Sequence, residues 1–253
     1  NRTIYFTGSN RADGNPYYHY LFKVNMDGSG LTNLTPEQMN HEISWSESKK
    51  FFTDTYSTPE TPATSVIRNL NGDVVMELEE ANISKLKENG WVAPEQFTVK
   101  ARDGETDLHG LMYKPSNFDP EKSYPVLNYL YPGPQSGSVG SRSFSPSRSD
   151  KQAVAELGFI VVEVDATCTP GRSKSFHDAC YGDLGDNGLP DQKGMIEQLA
   201  DRYDWMDASR VGIWGHSGGG FASTRAILKY PDFYHVAVSG AGNHDNRNYE
   251  ADW

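Results

Sequence analysis

The stretch that decides the fold is Val211-Gly-Ile-Trp-Gly215-His216-Ser217-Gly218-Gly219-Gly220-Phe221. An apolar run typical of a β-strand meets Gly-x-Ser-x-Gly, and a helix-compatible segment follows. This pattern predicts a nucleophile elbow, a tight strand-to-helix turn in which Gly215 and Gly219 fit where a Cβ would clash. Such a turn exposes the Ser217 hydroxyl and directs the backbone N–H of Gly218 toward the same point. The alternative is a glycine-rich turn with an incidental serine.

A serine of this kind needs an acid and a histidine, which in α/β-hydrolases follow it along the chain in that order. Few residues follow Ser217, and the elbow helix and the next strand require most of them. We expect His235 to be a sheet residue, and His244 and Asp245 to come too early for the two roles. The chain also begins at Asn1, almost directly in a strand-like run. We therefore expect a piece of a longer protein, inactive by itself because its acid and base lie elsewhere.

Composition excludes several classes of protein. The chain has 253 residues, 36% of them hydrophobic, which suffices for one or two domains. A net charge of −11 without a basic patch argues against a nucleic-acid partner. No apolar run reaches the roughly 18 residues of a membrane span. His177-Asp178 and the acidic stretch 183–187 lack metal-ligand spacing, so we expect a loop there, with neither metal nor cofactor.

The two cysteines, Cys168 and Cys180, leave two possibilities open. They bridge a loop, or they are two free thiols, because one pair in a chain of this length is not a disulfide framework. The compartment stays unknown, with a periplasmic or extracellular location favoured.

Residues 1 to about 80 are predicted to be all β, with short strands separated by turn signals. Asp27-Gly28 and Asn71-Gly72 are strong hairpin dipeptides. They recur about 44 residues apart, close to the ~40–45 residues of a four-stranded propeller blade. Two unrelated hairpins in a β-sandwich are the alternative. Beyond a boundary near residues 80–95, strands and helices alternate, which is typical of an α/β domain.

The chain resembles the prolyl oligopeptidase family of serine peptidases, in particular its dipeptidyl peptidase IV branch. The matching stretches keep the order and spacing of the family, and they are Asp103-Gly104, Gly110-Leu-Met-Tyr-Lys-Pro115, Asn117-Phe-Asp119, Tyr124-Pro125, Tyr131-Pro-Gly-Pro134, Gly185, Asp191-Gln192 and Ile213-Trp-Gly-His-Ser-Gly-Gly219. The resemblance implies the last blades of a β-propeller over residues 1–92. An incomplete α/β-hydrolase domain, with a doubly wound sheet, is implied over residues 93–253.

The resemblance also assigns roles. Ser217 matches the nucleophile, and Tyr131 matches the tyrosine whose hydroxyl completes the oxyanion hole with the Gly218 N–H. The alternative for Tyr131 is a sheet aromatic, although its position after a strand and before Pro-Gly-Pro favours the functional role. Gly218 departs from the branch, which commonly has tyrosine there, so one wall of the S1 pocket is lost. Tyr249 and Trp253 resemble the pair of rings that lines the proline pocket, with core or interface aromatics as the alternative.

The residues and the resemblance leave three candidate functions. The leading one is a serine peptidase that cuts short peptides after proline or alanine, with a peptide substrate and a homodimer of the full-length protein. An esterase or lipase shares the elbow, although lipases use a lid and not a propeller. The third is a non-catalytic piece kept for assembly or domain contacts.

Overall fold

The structure of the protein, a computed structural model, describes residues 2–9, 13–245 and 247. The chain forms two compact units, Asn1–Trp91 with Ser141–Pro146, and Val92–Gly140 with Ser147–Trp253. No pattern in the sequence predicts that Ser141–Pro146 joins the first unit. It does so through contacts such as the hydrogen bond from Phe144 N to Ser57 Oγ at 2.9 Å.

The first unit consists almost entirely of antiparallel strands. A three-stranded sheet has the order β1-β2-β3, and a four-stranded sheet has the order β4-β5-β6-β7. The elements are β1 (Thr3–Gly8), β2 (Tyr20–Asn25), β3 (Thr32–Asn33), β4 (Asn40–Trp45), β5 (Phe51–Ser57), β6 (Thr64–Asn69), β7 (Val74–Glu80) and a short helix α1 (Ser84–Glu88). A four-stranded antiparallel sheet of this kind is the unit of a propeller blade.

Both predicted hairpins are confirmed. The N–H of Gly28 donates to Asn25 O at 2.9 Å in the turn between β2 and β3. The N–H of Gly72 donates to Asn69 O at 3.0 Å between β6 and β7. The two-residue strand β3 was not anticipated, because Thr32-Asn33 is too short to show an alternating pattern.

The second unit is built on a six-stranded mixed sheet with the order β13-β12-β10-β11-β9-β8. Strands β11, β10, β12 and β13 are parallel to one another, β9 pairs antiparallel with β11, and β8 pairs antiparallel with β9 at the edge. The strands are β8 (Glu95–Lys100), β9 (Asp107–Tyr113), β10 (Tyr124–Tyr129), β11 (Ile160–Val164), β12 (Met206–His216) and β13 (Tyr234–Gly240). The helices are α2 (Lys151–Ala155), α3 (Lys174–His177), α4 (Leu189–Arg202) and α5 (Gly218–Lys229).

Helices cover both faces of this sheet, which makes it doubly wound. Ile160 and Val162 of β11 face the core formed with α4 and α5, whereas Val161 faces the smaller core with α2. All five residues of β11 are buried, as expected for a parallel strand covered on both faces. Among the described residues, no helix combines the length and apolar character that crossing a bilayer requires.

Candidate active site

Ser217 occupies the junction between β12 and α5 in a strained conformation. Its φ of 56° and ψ of −118° lie in a region that a non-glycine residue rarely adopts. Two backbone hydrogen bonds hold it there, from Ser217 N to Gly240 O at 2.7 Å and from Phe221 N to Ser217 O at 3.0 Å. The residue is half-buried. The strand, the strained serine and the following helix together have the form of the predicted elbow.

The glycines on either side allow the turn to close. A Cβ on Gly215 would lie 2.5 Å from Leu130 O and 2.7 Å from the Gly219 carbonyl carbon. A Cβ on Gly219 would collide with the same Leu130 oxygen. No side chain fits at either position without moving the backbone of the neighbouring strand, so the spacing of the two glycines follows from packing.

The segment that contains Tyr131 lies against this turn. Because β10 and β12 are parallel neighbours, their carboxyl ends meet at the same edge of the sheet, and Leu130 N donates to Trp214 O at 3.2 Å. A Cβ on Gly219 would be 3.6 Å from Tyr131 Cα, and one on Gly218 would be 3.4 Å from Pro132 O. The structure therefore brings together three of the predicted residues, Ser217, Gly218 and Tyr131.

Tyr131 begins a turn over residues 131–137. This turn is held in place by side chains that the sequence analysis did not single out. Tyr131 N donates to Ser138 Oγ at 3.0 Å, and Val139 N donates to Asp165 Oδ1 at 3.1 Å. The Gln135 Nε2 group donates to the Tyr131 hydroxyl at 3.3 Å. One signal was available in the sequence, since Asp165 directly follows a buried strand and so lies at the carboxyl edge of the sheet.

The histidines near the elbow make other contacts. His235 lies in β13, as predicted. The His244 ring stacks on Phe221 with its centroid 6.3 Å away, and its Nε2 lies 3.4 Å from Ser239 Oγ. Asp245 pairs with Arg247 at 2.8 Å. Within residues 2–9, 13–245 and 247, no imidazole hydrogen-bonds to the Ser217 hydroxyl.

Tyr249 and Trp253, the predicted S1 residues, lie outside the described residues. Their contribution to the site rests on the sequence.

Cys168 and Cys180 form a disulfide, which decides between the two possibilities that the sequence left open. With Asp186 they make one of two clusters of metal-ligand types in the described part of the chain, but a disulfide offers no thiolate to a metal. The bridge closes the loop that contains His177, whose Nε2 lies 2.6 Å from Pro134 O.

Residues of this loop and of the 131–137 turn together line a cavity of about 1070 Å³. Gly133, Pro134 and Gln135 line one side, and the disulfide and His177 are among the residues that line the other.

The base of the same loop is anchored by an ionic cluster that sequence reasoning missed. Arg102 donates to Asp186 at 2.7 Å and to Asp191 at 3.1 Å, and Thr167 also hydrogen-bonds to Asp191. Burial by itself would lower the pKa of Arg102, but the hydrogen bonds to Asp186 and Asp191 outweigh it and raise that pKa. Arg102 therefore stays charged and ties the loop to the segment after β8.

A second buried charge lies in β11, two residues before the Asp165 that holds the turn. Glu163 is 1% exposed; it accepts a hydrogen bond from the Tyr113 hydroxyl at 2.8 Å and lies 3.4 Å from Lys151 Nζ. Burial raises the pKa of the Glu163 carboxyl to about 7, although Lys151 and Tyr113 act in the opposite direction. The pKa of the Glu163 carboxyl therefore lies near neutrality.

Comparison with known proteins agrees with this arrangement. The sequence profile of the prolyl oligopeptidase family matches residues 144–253, and that of the dipeptidyl peptidase IV N-terminal region matches residues 1–63. Human dipeptidyl peptidase 8 is 31% identical over 248 residues, which is 95% of this chain and 27% of that protein. The mouse dipeptidyl peptidase 8 is 30% identical over the same length. This chain belongs to the prolyl oligopeptidase family, in its dipeptidyl peptidase IV branch.

Solved structures share the fold. The crystal structure of Porphyromonas gingivalis dipeptidyl peptidase 4 matches 98% of this chain with a TM-score of 0.80, at 24% identity and over 34% of its own length. A Bacteroides ovatus structure matches with a TM-score of 0.81 at 28% identity, over the same shares of the two chains. The first unit is thus the propeller-type region of the branch, and the second is a partial α/β-hydrolase domain. The chain spans about a quarter of the length of the curated relatives it matches.

Proposed function

We propose that the full-length protein is a serine peptidase that cleaves short peptides, and specifically a dipeptidyl peptidase acting after proline or alanine. One observation carries the proposal. Ser217, strained at φ 56°, lies at the edge of the sheet where the backbone of Tyr131 and Pro132 approaches Gly218 and Gly219. A nucleophile and two oxyanion donors thus come from two adjacent segments.

Each residue has a distinct role in this proposal. Ser217 attacks the scissile carbonyl, while the Gly218 N–H and the Tyr131 hydroxyl stabilise the negative charge on the tetrahedral intermediate. Since Gln135 donates to the Tyr131 oxygen, the phenolic proton remains available to the substrate. The general base and its acid partner are assigned to no described residue.

The specificity pocket is proposed from the sequence and the family resemblance. Tyr249 and Trp253 supply aromatic walls, and Gly218 adds no side chain where relatives of the branch commonly have tyrosine. A small apolar P1 residue such as proline or alanine suits a pocket with two aromatic walls, because a compact apolar group packs closely against the faces of the rings.

Labelling of the full-length protein with a fluorophosphonate, with Ser217→Ala as the control, tests whether Ser217 is an activated nucleophile. Hydrolysis of a Gly-Pro anilide and of a short acyl ester then separates the substrate classes. Labelling with faster anilide turnover supports the peptidase. Ester turnover without anilide turnover indicates an esterase, and a Ser217 that is never labelled indicates a non-catalytic role in assembly.

The homodimer is a separate part of the proposal and has a separate test. Light scattering of the full-length protein is expected to give twice the mass of one chain, and a monomer mass at micromolar concentration would contradict it.

A further inference from the structure

His177 forms the contact between the disulfide loop and the turn that contains Tyr131. We infer that His177 is a positioning residue that holds the 131–137 turn, and with it the Tyr131 hydroxyl, in place for oxyanion binding. We infer also that the Cys168–Cys180 disulfide holds His177. This inference rests on the proposed function for its effect on catalysis, but not for its effect on the turn.

The turn has few backbone donors of its own. Pro132 and Pro134 have no N–H, and the bond from Ser136 N to Gly133 O is long, at 3.4 Å. Two well-formed hydrogen bonds flank the turn. Tyr131 N donates to Ser138 Oγ at its start, and Val139 N, just beyond its end, donates to Asp165 Oδ1. The middle of the turn therefore needs a contact from outside.

His177 supplies that contact. Its Nε2 lies 2.6 Å from the Pro134 carbonyl oxygen, and because a carbonyl only accepts, Nε2 must be the donor. Pro134 and Gln135 are exposed beside the cavity of about 1070 Å³ that they line, so close packing does not immobilise them, whereas Gly133 is buried. One short hydrogen bond across the edge of the cavity then sets the position of the turn.

The disulfide in turn determines where His177 lies. The bridge joins residues 12 positions apart, and His177 lies three residues before Cys180, at the end of α3. Cys168 N also donates to Phe176 O at 2.9 Å, and Ser173 Oγ caps α3 by accepting from Phe176 N at 3.2 Å. Cys168 itself has a φ of 84°, a strained conformation that persists only when its surroundings enforce it. Opening the bridge frees the loop and displaces the imidazole.

Tyr131 would stabilise charge that exists only in the transition state. Displacing its turn should therefore lower kcat and leave KM nearly unchanged. A residue that merely supported the fold would change both constants or reduce the amount of folded protein.

The test uses the full-length protein and five variants: His177→Ala, His177→Gln, Cys168→Ser/Cys180→Ser, the triple variant that combines His177→Ala with the two serines, and Lys174→Ala as the matched control. Glutamine keeps an amide donor near the position of Nε2. Lys174 lies on the same short helix and pairs with Asp178. Two quantities are measured: hydrogen exchange of the 131–140 peptide, and the kinetic constants for a Gly-Pro anilide.

We expect His177→Ala to speed exchange in residues 131–140 about tenfold and to lower kcat about tenfold, with KM within threefold. His177→Gln should recover both values to within threefold, and Lys174→Ala should match the wild type. The cysteine pair should act in the same direction as His177→Ala. The triple variant should be no worse than His177→Ala by more than twofold, because the disulfide acts through His177.

Three results would overturn the inference: unchanged exchange in His177→Ala, equal values for the alanine and glutamine variants, or multiplied effects in the triple variant. Hydrogen exchange gives its result even in a protein without peptidase activity. The failure of the proposed function, seen as an unlabelled Ser217, is thereby distinguished from the failure of this inference.

Discussion

His41 and Asp54 in the β4–β7 sheet lie 2.8 Å apart and are almost fully buried, at 3% and 0% exposure, whereas Ser217 in the other unit is half-buried and strained. A histidine–carboxylate pair at this distance resembles part of a catalytic triad. Its remaining atoms are already used, since His41 Nε2 contacts Glu37 O at 2.9 Å and Asp54 Oδ2 accepts from Arg68 at 2.8 Å. The Glu37–His41–Asp54 cluster is also a set of metal-ligand types, but the Arg68 guanidinium occupies it.

The contrast shows which observation separates a structural polar cluster from a functional one. In the blade-like sheet the side-chain atoms of His41, Asp54 and Arg68 bond to other protein groups, which stabilises strand packing, and only Glu37 Oε2 is buried there without a partner among the described residues. At the elbow, backbone strain is maintained and the hydroxyl has no hydrogen-bond partner among the described residues. A strained residue with an unpaired hydroxyl is available to interact with a substrate.

The largest expected effect comes from Ser217→Ala in the full-length protein. Removing a triad nucleophile typically costs ~10⁴–10⁶ in kcat, whereas the fold should be unchanged because alanine is smaller. Steady-state kinetics with a Gly-Pro anilide, together with circular dichroism, measure the two. If the kcat of Ser217→Ala stays within tenfold of the wild-type value, the elbow is only a structural turn. The contrast between a structural cluster and a functional elbow would then be wrong.

Asp54→Ala tests whether the buried cluster of His41, Asp54 and Arg68 stabilises the fold. The substitution removes the buried acceptor of both Arg68 Nε and His41 Nδ1 and leaves Glu37 as the remaining carboxylate beside Arg68, so we expect the free energy of unfolding to fall by about 3–5 kcal/mol. Urea denaturation measures this, with the exposed Asp73→Ala on the same sheet as the control. The kcat of the folded fraction should stay within twofold. A large loss of kcat at unchanged stability would instead give the His41–Asp54 pair a role in the chemistry.

Tyr131→Phe removes one proposed oxyanion donor and little else. We expect kcat to fall by roughly 10²–10³, equivalent to about 2.7–4 kcal/mol of transition-state stabilisation, with KM nearly constant. Stopped-flow or steady-state assays of anilide hydrolysis are sufficient. A loss under threefold would remove Tyr131 from the mechanism and leave it as a structural aromatic just after the end of β10.

The smallest effect concerns Glu163, a buried charge near the proposed site. Burial raises the pKa of Glu163 from about 4.5 to about 7, so the folded chain retains a proton that the unfolded chain releases. The free energy of unfolding should therefore fall as the pH rises from about 4.5 to 7, by at most roughly 3 kcal/mol. Glu163→Gln should flatten that slope, measured by urea denaturation at several pH values.

The matched control for Glu163 is Glu105→Gln, at an exposed position. It should reproduce the wild-type slope. If the free energy of unfolding has the same pH dependence in the wild type and in Glu163→Gln, Lys151 and Tyr113 keep the Glu163 carboxylate ionised. The prediction for Glu163 would then be wrong.

Local signals in the sequence were enough for most of the elements. The hairpin dipeptides at Gly28 and Gly72 predicted their turns, because the constraint is confined to the turn itself. Alternating strands and helices predicted the α/β architecture of the second unit, and the family resemblance implied its doubly wound sheet. The missed elements were short or were recruited from a distance, namely β3, the segment Ser141–Pro146 and the four-residue helix α3. The expectation of a loop at His177-Asp178 was wrong, because His177 ends α3 and Asp178 begins a 3-10 turn.

By itself the sequence determined the elbow. Gly215 and Gly219 flank Ser217 at a fixed spacing, and crowding within one turn requires that spacing whatever the rest of the chain does. Only the tertiary structure decided that Tyr131 lies beside this turn, because that depends on the pairing of β10 with β12. The same holds for the bond from His177 to Pro134, 43 residues away in the chain. Contacts between distant residues depend on strand order and loop closure, which local residue patterns do not encode.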